Sequence, residues 1–201
     1  MNVLIWFKRD LRLHDHPALC HAAGLGPVLP VFLVEPEVWA QPDASARQWE
    51  FVAESLADLR EGLAGLGLPL VIRVGEAVEV LERLCRQHRI GQIVSHQETG
   101  NLVTYARDRR VAAWARDRGI PWTELPQSGV VRRLPSRDGW AARRDAFVGA
   151  EPLPLPPLRP VDGAEPGLIP TARALKLAAD PCPHRQRGGR TQGLDLSLIH
   201  I

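Results

Sequence analysis

The chain has 201 residues, of which 45% are hydrophobic and 24% charged, and its formal net charge is +2. These values are typical of a soluble globular protein with one domain and part of another. They exclude a membrane-spanning segment, because no apolar run is long enough. They also exclude a signal peptide, because charged residues follow the first five apolar ones. The three cysteines are widely spaced, so we expect reduced thiols in a cytoplasmic protein and no disulfide framework.

Strand and helix signals alternate through residue 128. Apolar runs predict five strands at residues 3–7, 28–34, 70–74, 92–95 and 122–125. Helical spacing predicts helices from Pro17, capped by Asp15 or His16, and at residues 46–66, 76–88 and 103–118. Residues 36–45 are expected to form a polar loop. The alternation predicts an α/β fold with a Rossmann-like parallel five-stranded sheet and helices on both faces.

The pattern changes after residue 128. Residues 129–150 are expected to form an arm, with a short strand or extended piece at 130–134 and a helix at 138–148. Residues 151–170 contain seven prolines and predict an extended, semi-stiff linker. Residues 171–195 are expected to begin a truncated helical domain. Residues 196–201 match one reading frame of a common sequencing adapter, so we expect a non-native tail; the alternative is a natural apolar tail.

Charged side chains gather where the first strand ends. Lys8, Arg9, Asp10 and Arg12 follow an apolar run directly, and the carboxyl ends of parallel strands are where α/β sheets bind ligands. Arginine suits bidentate contact with a phosphate or a carboxylate. These residues could hold a phosphate, a chromophore tail or a neighbouring domain. The alternative is an internal network of ion pairs that ties the turn to the next strand.

Two further loops are predicted to border the same crevice. In the loop after the fourth strand, Glu98 and Asn101 could hydrogen-bond a flat heterocycle, or Asn101 or Thr99 could cap the following helix. After the second strand, Trp39 could stack on a ring and Arg47 could meet an anionic tail. The alternative for Trp39 is packing against the sheet.

No catalytic motif is present in the sequence. There is no glycine-rich dinucleotide or P-loop motif and no nucleophile elbow. His14 and His16 form an H-x-H pair, but no third ligand lies near in sequence, so a turn and cap role is favoured over a metal site. Residues 1–150 therefore predict a binding and docking scaffold.

The opening segment W-F-K-R-D-L-R-L-H-D-H-P-A-L resembles the start of the DNA photolyase and cryptochrome family. The segments 127–134 and 137–140 look like the arm of some bacterial members, and Gly188-Gly189 is similar to the opening of their helical domain. The resemblance covers about residues 2–195. It implies an antenna-binding α/β domain over residues 1–128, followed by an FAD-binding helical domain.

The resemblance also implies roles for particular residues. The candidate antenna crevice consists of Lys8, Arg9, Trp39, Arg47, Glu98 and Asn101. Asp10 and Arg12 are expected to be structural or to lie at the junction of the two domains. No catalytic residue and no metal ligand are expected in this fragment. The FAD site and the main DNA groove are expected in the missing domain, so Trp6, Trp49, Trp114 and Trp122 are expected to pack in the core.

The activity that the resemblance implies is deoxyribodipyrimidine photo-lyase. Reduced FAD, excited directly or through a pterin, deazaflavin or flavin antenna, passes an electron to a cyclobutane pyrimidine dimer in damaged DNA. We expect a monomer, inactive as this fragment alone. One alternative is a cryptochrome photosensor that does not repair DNA. A second is a stand-alone nucleotide-binding α/β module.

Overall fold

The computed structural model describes residues 1–132 and 134–199, and it contains the predicted parallel sheet. The strands are β1 (Asn2–Phe7), β2 (Val28–Val34), β3 (Val71–Val74), β4 (Ile90–His96) and β5 (Trp122–Leu125). All four pairings are parallel, in the order β3-β2-β1-β4-β5. The chain crosses from one half of the sheet to the other between β3 and β4. This switch point lies between β1 and β4, where α/β sheets open a ligand crevice.

Helices cover both faces of the sheet. They are α1 (Pro17–Leu25), α2 (Pro36–Trp39), α3 (Ala46–Ala64), α4 (Ala77–Gln87), α5 (Leu102–Asp117), α6 (Trp140–Val148) and α7 (Arg190–Ile199). Within β1, Val3, Ile5 and Phe7 pack with α1 and α3, whereas Leu4 and Trp6 pack with α4 and α5. A strand buried on both faces must be apolar throughout, which explains the unbroken apolar run. Among the described residues, no helix combines the length and apolar composition needed to cross a bilayer.

The element boundaries differ from the predicted ones in a few places. The predicted loop at 36–45 begins with the short helix α2, because Pro36 supplies the fixed φ of a first helical turn. His16 caps α1, with its Nδ1 accepting from the Leu19 amide at 2.9 Å. The described part of 130–134 contains no strand, and Arg133 lies outside the described residues.

The proline-rich segment, residues 151–170, contains no helix and no named strand, and it lies against the α/β domain. The Val28 amide donates to the Arg159 carbonyl at 2.7 Å, and Val28 forms a parallel bridge with Pro160. Farther along, Nε1 of Trp49 donates to the Pro170 carbonyl at 2.9 Å. Proline cannot donate such bonds, so the segment offers its carbonyls to donors of the domain. These contacts fix the direction in which the chain leaves the sheet.

Residues 185–191, here called the docked segment, lie along α3. Arg185 forms an ion pair with Glu54 at 2.7 Å, and Glu54 also accepts from the Gly188 amide at 2.7 Å. Asp58, one turn further along α3, accepts from the Arg190 amide at 2.8 Å. The backbone of this segment approaches α3 so closely that a Cβ atom on Gly188 would collide with the Phe51 carbonyl oxygen. Close approach of this kind requires glycine.

We predict that Gly188→Ala detaches the docked segment from α3, because the backbone cannot retreat without breaking its hydrogen bonds to Glu54 and Asp58. Trypsin should then cleave after Arg185 and neighbouring arginines several-fold faster than in the wild type, as followed by mass spectrometry. Gly193→Ala is the matched control, since a Cβ atom there meets nothing within 4 Å. Unchanged cleavage in Gly188→Ala would contradict the close approach.

Candidate ligand crevice

A crevice with a volume of about 810 Å³ opens at the carboxyl end of the sheet. Its floor is formed by the residues that follow β1, β2 and β4, and its sides by α2, the start of α3 and the docked segment. Phe32, Trp39 and Phe51 supply apolar surface, and charged side chains surround it. The size and the mixed lining are typical of a small-molecule site.

All of the site residues predicted from the sequence line this one crevice. They are Lys8, Arg9, Trp39, Arg47, Glu98 and Asn101, together with Asp10 and Arg12. Arg9 and Glu98 are in direct contact, with Nε of Arg9 2.8 Å from Oε1 of Glu98. The side chain of Arg9 is 60% exposed, so the rest of its guanidinium remains available to a ligand. The turn after β1 and the loop after β4 therefore share one rim.

Asp10 is buried at the centre of a histidine cluster. Nδ1 of His96 lies 2.5 Å from Oδ2 of Asp10, and Oδ1 of Asp10 accepts from the Lys8 amide at 2.8 Å. Nε2 of His16 lies 3.0 Å from the same Oδ2, at an angle too bent for a full hydrogen bond. The Ala18 amide donates to Nε2 of His96, so the proton of this ring is on Nδ1. Asp10 thereby ties β1 and β4 to the start of α1.

The pKa values in this cluster follow from burial and contact. Burial alone would raise the pKa of Asp10, but the contacts with His16 and His96 outweigh it and hold the pKa well below its ordinary value. Burial lowers the pKa of His16, against the opposing effect of Asp10. Asp10 is therefore an ionised carboxylate beside His16, whose uncharged form is favoured by burial.

These three side chains also have the composition of a metal site. Two ligands of one tetrahedral zinc ion, each at about 2.0–2.1 Å from it, stand about 3.3 Å apart. The Asp10 contacts of 2.5 Å to His96 and 3.0 Å to His16 are both shorter than that, and the contact to His96 is a hydrogen bond. The described geometry therefore favours a hydrogen-bonded cluster, and the exposed His14 is not among its members.

Arg107 of α5 is the hub of a second buried cluster. Its Nη1 donates to Glu35, its Nη2 donates to Glu98, and its Nε lies 2.9 Å from Asp108. Burial raises the pKa of Glu35 to about 7, although Arg107 opposes the rise. Burial also disfavours ionisation of Glu98, but Arg107 and the other nearby cations prevail and lower its pKa. One guanidinium thus holds three carboxylates, of which Glu35 and Glu98 line the crevice.

Lys8 belongs to the protein interior more than to the crevice surface. Its side chain is 4% exposed and its Nζ lies 3.2 Å from Asp108 and over the rings of Trp6 and Trp122, at 4.5 and 4.9 Å from their centroids. Burial lowers the pKa of Lys8, with Asp108 opposing. The alternative interpretation of an internal ion-pair network therefore describes Lys8 and Asp10, while Arg9 faces the crevice. Arg12 donates to the Asp15 carbonyl at 2.8 Å.

The other predicted residues each have a structural partner as well as a place in the crevice. Asn101 caps α5, with its Oδ1 accepting from the Thr104 amide at 3.1 Å. Trp39 packs edge-on against Trp49, with centroids 4.8 Å apart. Arg47 lies 3.3 Å from Asp180 at a half-exposed site. The capping and packing interpretations therefore describe Asn101 and Trp39, and both residues also line the crevice, so ligand contact by them stays a prediction.

Sequence reasoning missed several charged residues of the crevice. Glu35 and Arg107 form its floor, and Arg185 and Arg190 of the docked segment form part of its side. A signal existed for Glu35, which directly follows the apolar run of β2 as Lys8 follows β1. Arg107 stands mid-helix, where an arginine is ordinarily exposed, and only the tertiary structure shows its burial.

A parallel sheet in the order 3-2-1-4-5, with a mixed crevice at its switch point, defines an α/β domain with a crevice at the place where such sheets bind ligands. The sequence model of the DNA photolyase family matches residues 3–136 of the chain. The chain belongs to this family, whose members include both photolyases and cryptochromes.

Several relatives support this assignment. The chain is 28% identical to cryptochrome DASH of Gloeobacter violaceus over 96% of its length and 43% of the relative's. It is 33% identical to the chloroplastic/mitochondrial cryptochrome DASH of Oryza sativa over 67% of the chain and 24% of the relative. It is 34% identical to the deoxyribodipyrimidine photo-lyase of Escherichia coli over 43% of the chain and 20% of the relative. The chain therefore spans less than half the length of each.

Solved structures share the fold. A photolyase from Sulfolobus tokodaii, crystallised with two FAD molecules and interpreted as having a novel light-harvesting cofactor, has a TM-score of 0.76 and 22% identity, covering 98% of this chain and 46% of its own. The Synechocystis cryptochrome has a TM-score of 0.78 and 22% identity, and the match covers 96% of this chain and 44% of the cryptochrome. At this identity the likeness concerns the fold.

Proposed function

We propose that this chain is the antenna-binding part of a deoxyribodipyrimidine photo-lyase, which repairs cyclobutane pyrimidine dimers in damaged DNA. The observation that carries the proposal is the 810 Å³ crevice at the switch point of a photolyase-family domain. It is large enough for a tricyclic or bicyclic chromophore, and it combines apolar ring surface with hydrogen-bonding groups. The proposed partners are the antenna chromophore and, through the remainder of the whole protein, FAD and damaged DNA.

Different residues of the crevice offer different kinds of contact to the antenna. Trp39 and Phe51 offer ring surface, Glu98 and Asn101 offer polar atoms for a ring edge, and Arg9 and Arg47 offer positive charge at the opening. When bound, the antenna absorbs light and transfers the excitation energy to FAD. The crevice contributes to that step by fixing the position and orientation of the chromophore and by excluding water from it.

The proposal is tested by titrating the chain with one probe from each antenna class, namely riboflavin, a 5-deazaflavin and a pterin, followed by fluorescence anisotropy. We expect at least one ring to bind, and Trp39→Ala to weaken its binding about tenfold, because an aromatic contact to a planar ring contributes roughly 1–3 kcal/mol. Trp140→Ala is the control, since Trp140 is outside the crevice. If no ring binds and ATP does, the stand-alone nucleotide-binding module is favoured instead.

A second candidate function is light sensing by a cryptochrome. The cryptochrome DASH of Gloeobacter violaceus aligns with 96% of the chain, more than the other two relatives described above. A full-length protein containing this chain should be assayed for light-dependent reversal of pyrimidine dimers in DNA. Reversal supports the photolyase, whereas bound flavin without reversal supports the photosensor.

A further inference from the structure

Glu35 occupies a distinct position at the floor of the crevice. It is the first residue after β2, its residue surface is 8% exposed, and it lines the cavity. One carboxylate oxygen, Oε1, accepts from Nη1 of Arg107. The other oxygen, Oε2, accepts no hydrogen bond from the described part of the chain. It is not one of the polar atoms that are fully buried without a partner, so it remains accessible. The free oxygen is therefore the part of Glu35 that meets the cavity.

The surroundings of Glu35 supply few donors to a ligand. Arg107 already forms ion pairs with Glu35, Glu98 and Asp108, so its N–H groups are engaged. Lys8 is buried against Asp108, which leaves carboxylate oxygens as the main polar atoms at the floor. An ionised carboxylate only accepts hydrogen bonds. A ligand edge at this floor must therefore present an N–H or O–H, and a ring carbonyl placed here would face an acceptor.

We propose that Glu35 is a specificity-determining residue of the crevice, whose free carboxylate oxygen accepts a hydrogen bond from the ring N–H of a fused pyrimidine heterocycle. Flavins, deazaflavins and pterins all carry this N–H at position 3 of the pyrimidine ring. The inference rests on the proposed antenna function and goes beyond it by assigning the orientation of the ring, with its pyrimidine edge inward. The anionic or polar tail then points to the opening, toward the cations of the rim.

The charge environment predicts how this hydrogen bond depends on pH. The charged groups that act on Glu35 are Arg107 and Asp108 of α5 and Glu98 of the loop after β4. Lys8 and Arg9 after β1 and Arg47 of α3 are further charged groups that line the same crevice. Because burial raises the pKa of Glu35 to about 7, its carboxyl becomes protonated as the pH falls below that value. A ring that donates its N–H binds the ionised form more tightly, because protonation removes the charge and turns one carboxylate oxygen into a donor, so its affinity should fall as the pH decreases from about 8 to 6.

The test compares riboflavin, a 5-deazaflavin and pterin with their 3-methyl derivatives, in which a methyl group replaces the hydrogen on N3. The chain should bind the best parent ring about tenfold more tightly than its methyl derivative, since a charge-assisted hydrogen bond is lost and an acceptor is left unpaired. Glu35→Gln should reduce this preference several-fold and remove the pH dependence measured with riboflavin. Glu37→Gln is the matched control, because Glu37 is exposed on α2 and is not in the crevice lining.

Each outcome has a separate meaning. Circular dichroism melts of both variants establish that they are folded, and Glu35→Met serves as a second variant with no acceptor at all. If none of the three parent rings binds, the proposed antenna function is overturned and this inference with it. Equal binding of a parent ring and its methyl derivative, or an unchanged pH profile in folded Glu35→Gln and Glu35→Met, overturns the role of Glu35 and leaves antenna binding intact.

Discussion

Asp10→Ala is expected to lower the free energy of unfolding by about 3–5 kcal/mol at pH 7.5, because it leaves a group of buried donors without an acceptor. His96 Nδ1–H and the Lys8 amide both donate to Asp10, and His16 Nε2 loses its nearest acceptor. None of these groups can reach water, since Asp10 and both histidines are at most 2% exposed. Urea unfolding followed by circular dichroism measures the loss.

The control is Asp43→Ala, because Asp43 lies at the same crevice on an exposed turn and should change the stability by less than about 1 kcal/mol. The difference between wild type and Asp10→Ala should narrow as the pH falls below about 4, the ordinary pKa of aspartate. The contacts that lower the pKa of Asp10 stabilise only its ionised form, so their contribution disappears on protonation. A loss of under 1 kcal/mol, or one that stays constant down to about pH 3, would refute the buried ionised cluster.

The sheet could be predicted from the sequence because each strand carries its own signal. The unbroken apolar run 28–34 coincides with the observed β2, and the charges after Phe7 mark the end of β1. Pro17 likewise marks the first turn of α1. These signals are local: burial on both faces demands apolar residues, and proline permits only certain backbone positions. The shared rim of Arg9 and Glu98 followed from the same reasoning, because parallel strands end at one edge.

The two buried clusters could not be predicted in the same way. Asp10 and His96 are separated by 86 residues and Arg107 and Glu35 by 72, so no local pattern connects them. Arg107 stands in a helix whose sequence gives no sign of a buried face at that position. Similarly, the prolines of 151–170 predicted an extended backbone, but its contacts with Val28 and Trp49 depend on the surface that the folded domain provides.

The two clusters have different consequences for the crevice. Asp10 is satisfied entirely by protein groups and serves to join β1, β4 and α1 beneath the site. Arg107 instead gathers carboxylates that remain in contact with the cavity, Glu35 and Glu98 among them. Glu35 lies in the buried part of the crevice beside Arg107, whereas Arg9 and Arg47 are more than half exposed. A ligand with ring donors at one end and an anionic tail at the other fits this arrangement.

Arg107→Met is expected to cost about 3–5 kcal/mol of unfolding free energy at pH 8, because three buried carboxylates lose the cation that they share. Methionine replaces much of the side-chain volume, so the loss reports on charge more than on packing. Arg110→Met is the matched control on the same helix. Arg110 also pairs with two carboxylates, Glu37 and Glu76, but its side chain is 42% exposed, so its removal should cost no more than about 1 kcal/mol.

The pH dependence of this loss distinguishes a charge effect from a packing effect. Without Arg107, the pKa of Glu35 should rise above the value of about 7 that burial already gives it, and the pKa of Glu98 should rise as well. Acids with raised folded-state pKa values destabilise the fold at high pH and cease to do so once they are protonated. The loss in Arg107→Met should therefore be smaller at about pH 5.5 than at pH 8, as urea unfolding at both values would show. An equal loss at both pH values would mean that Arg107 acts through packing, and the electrostatic account of the crevice floor would be wrong.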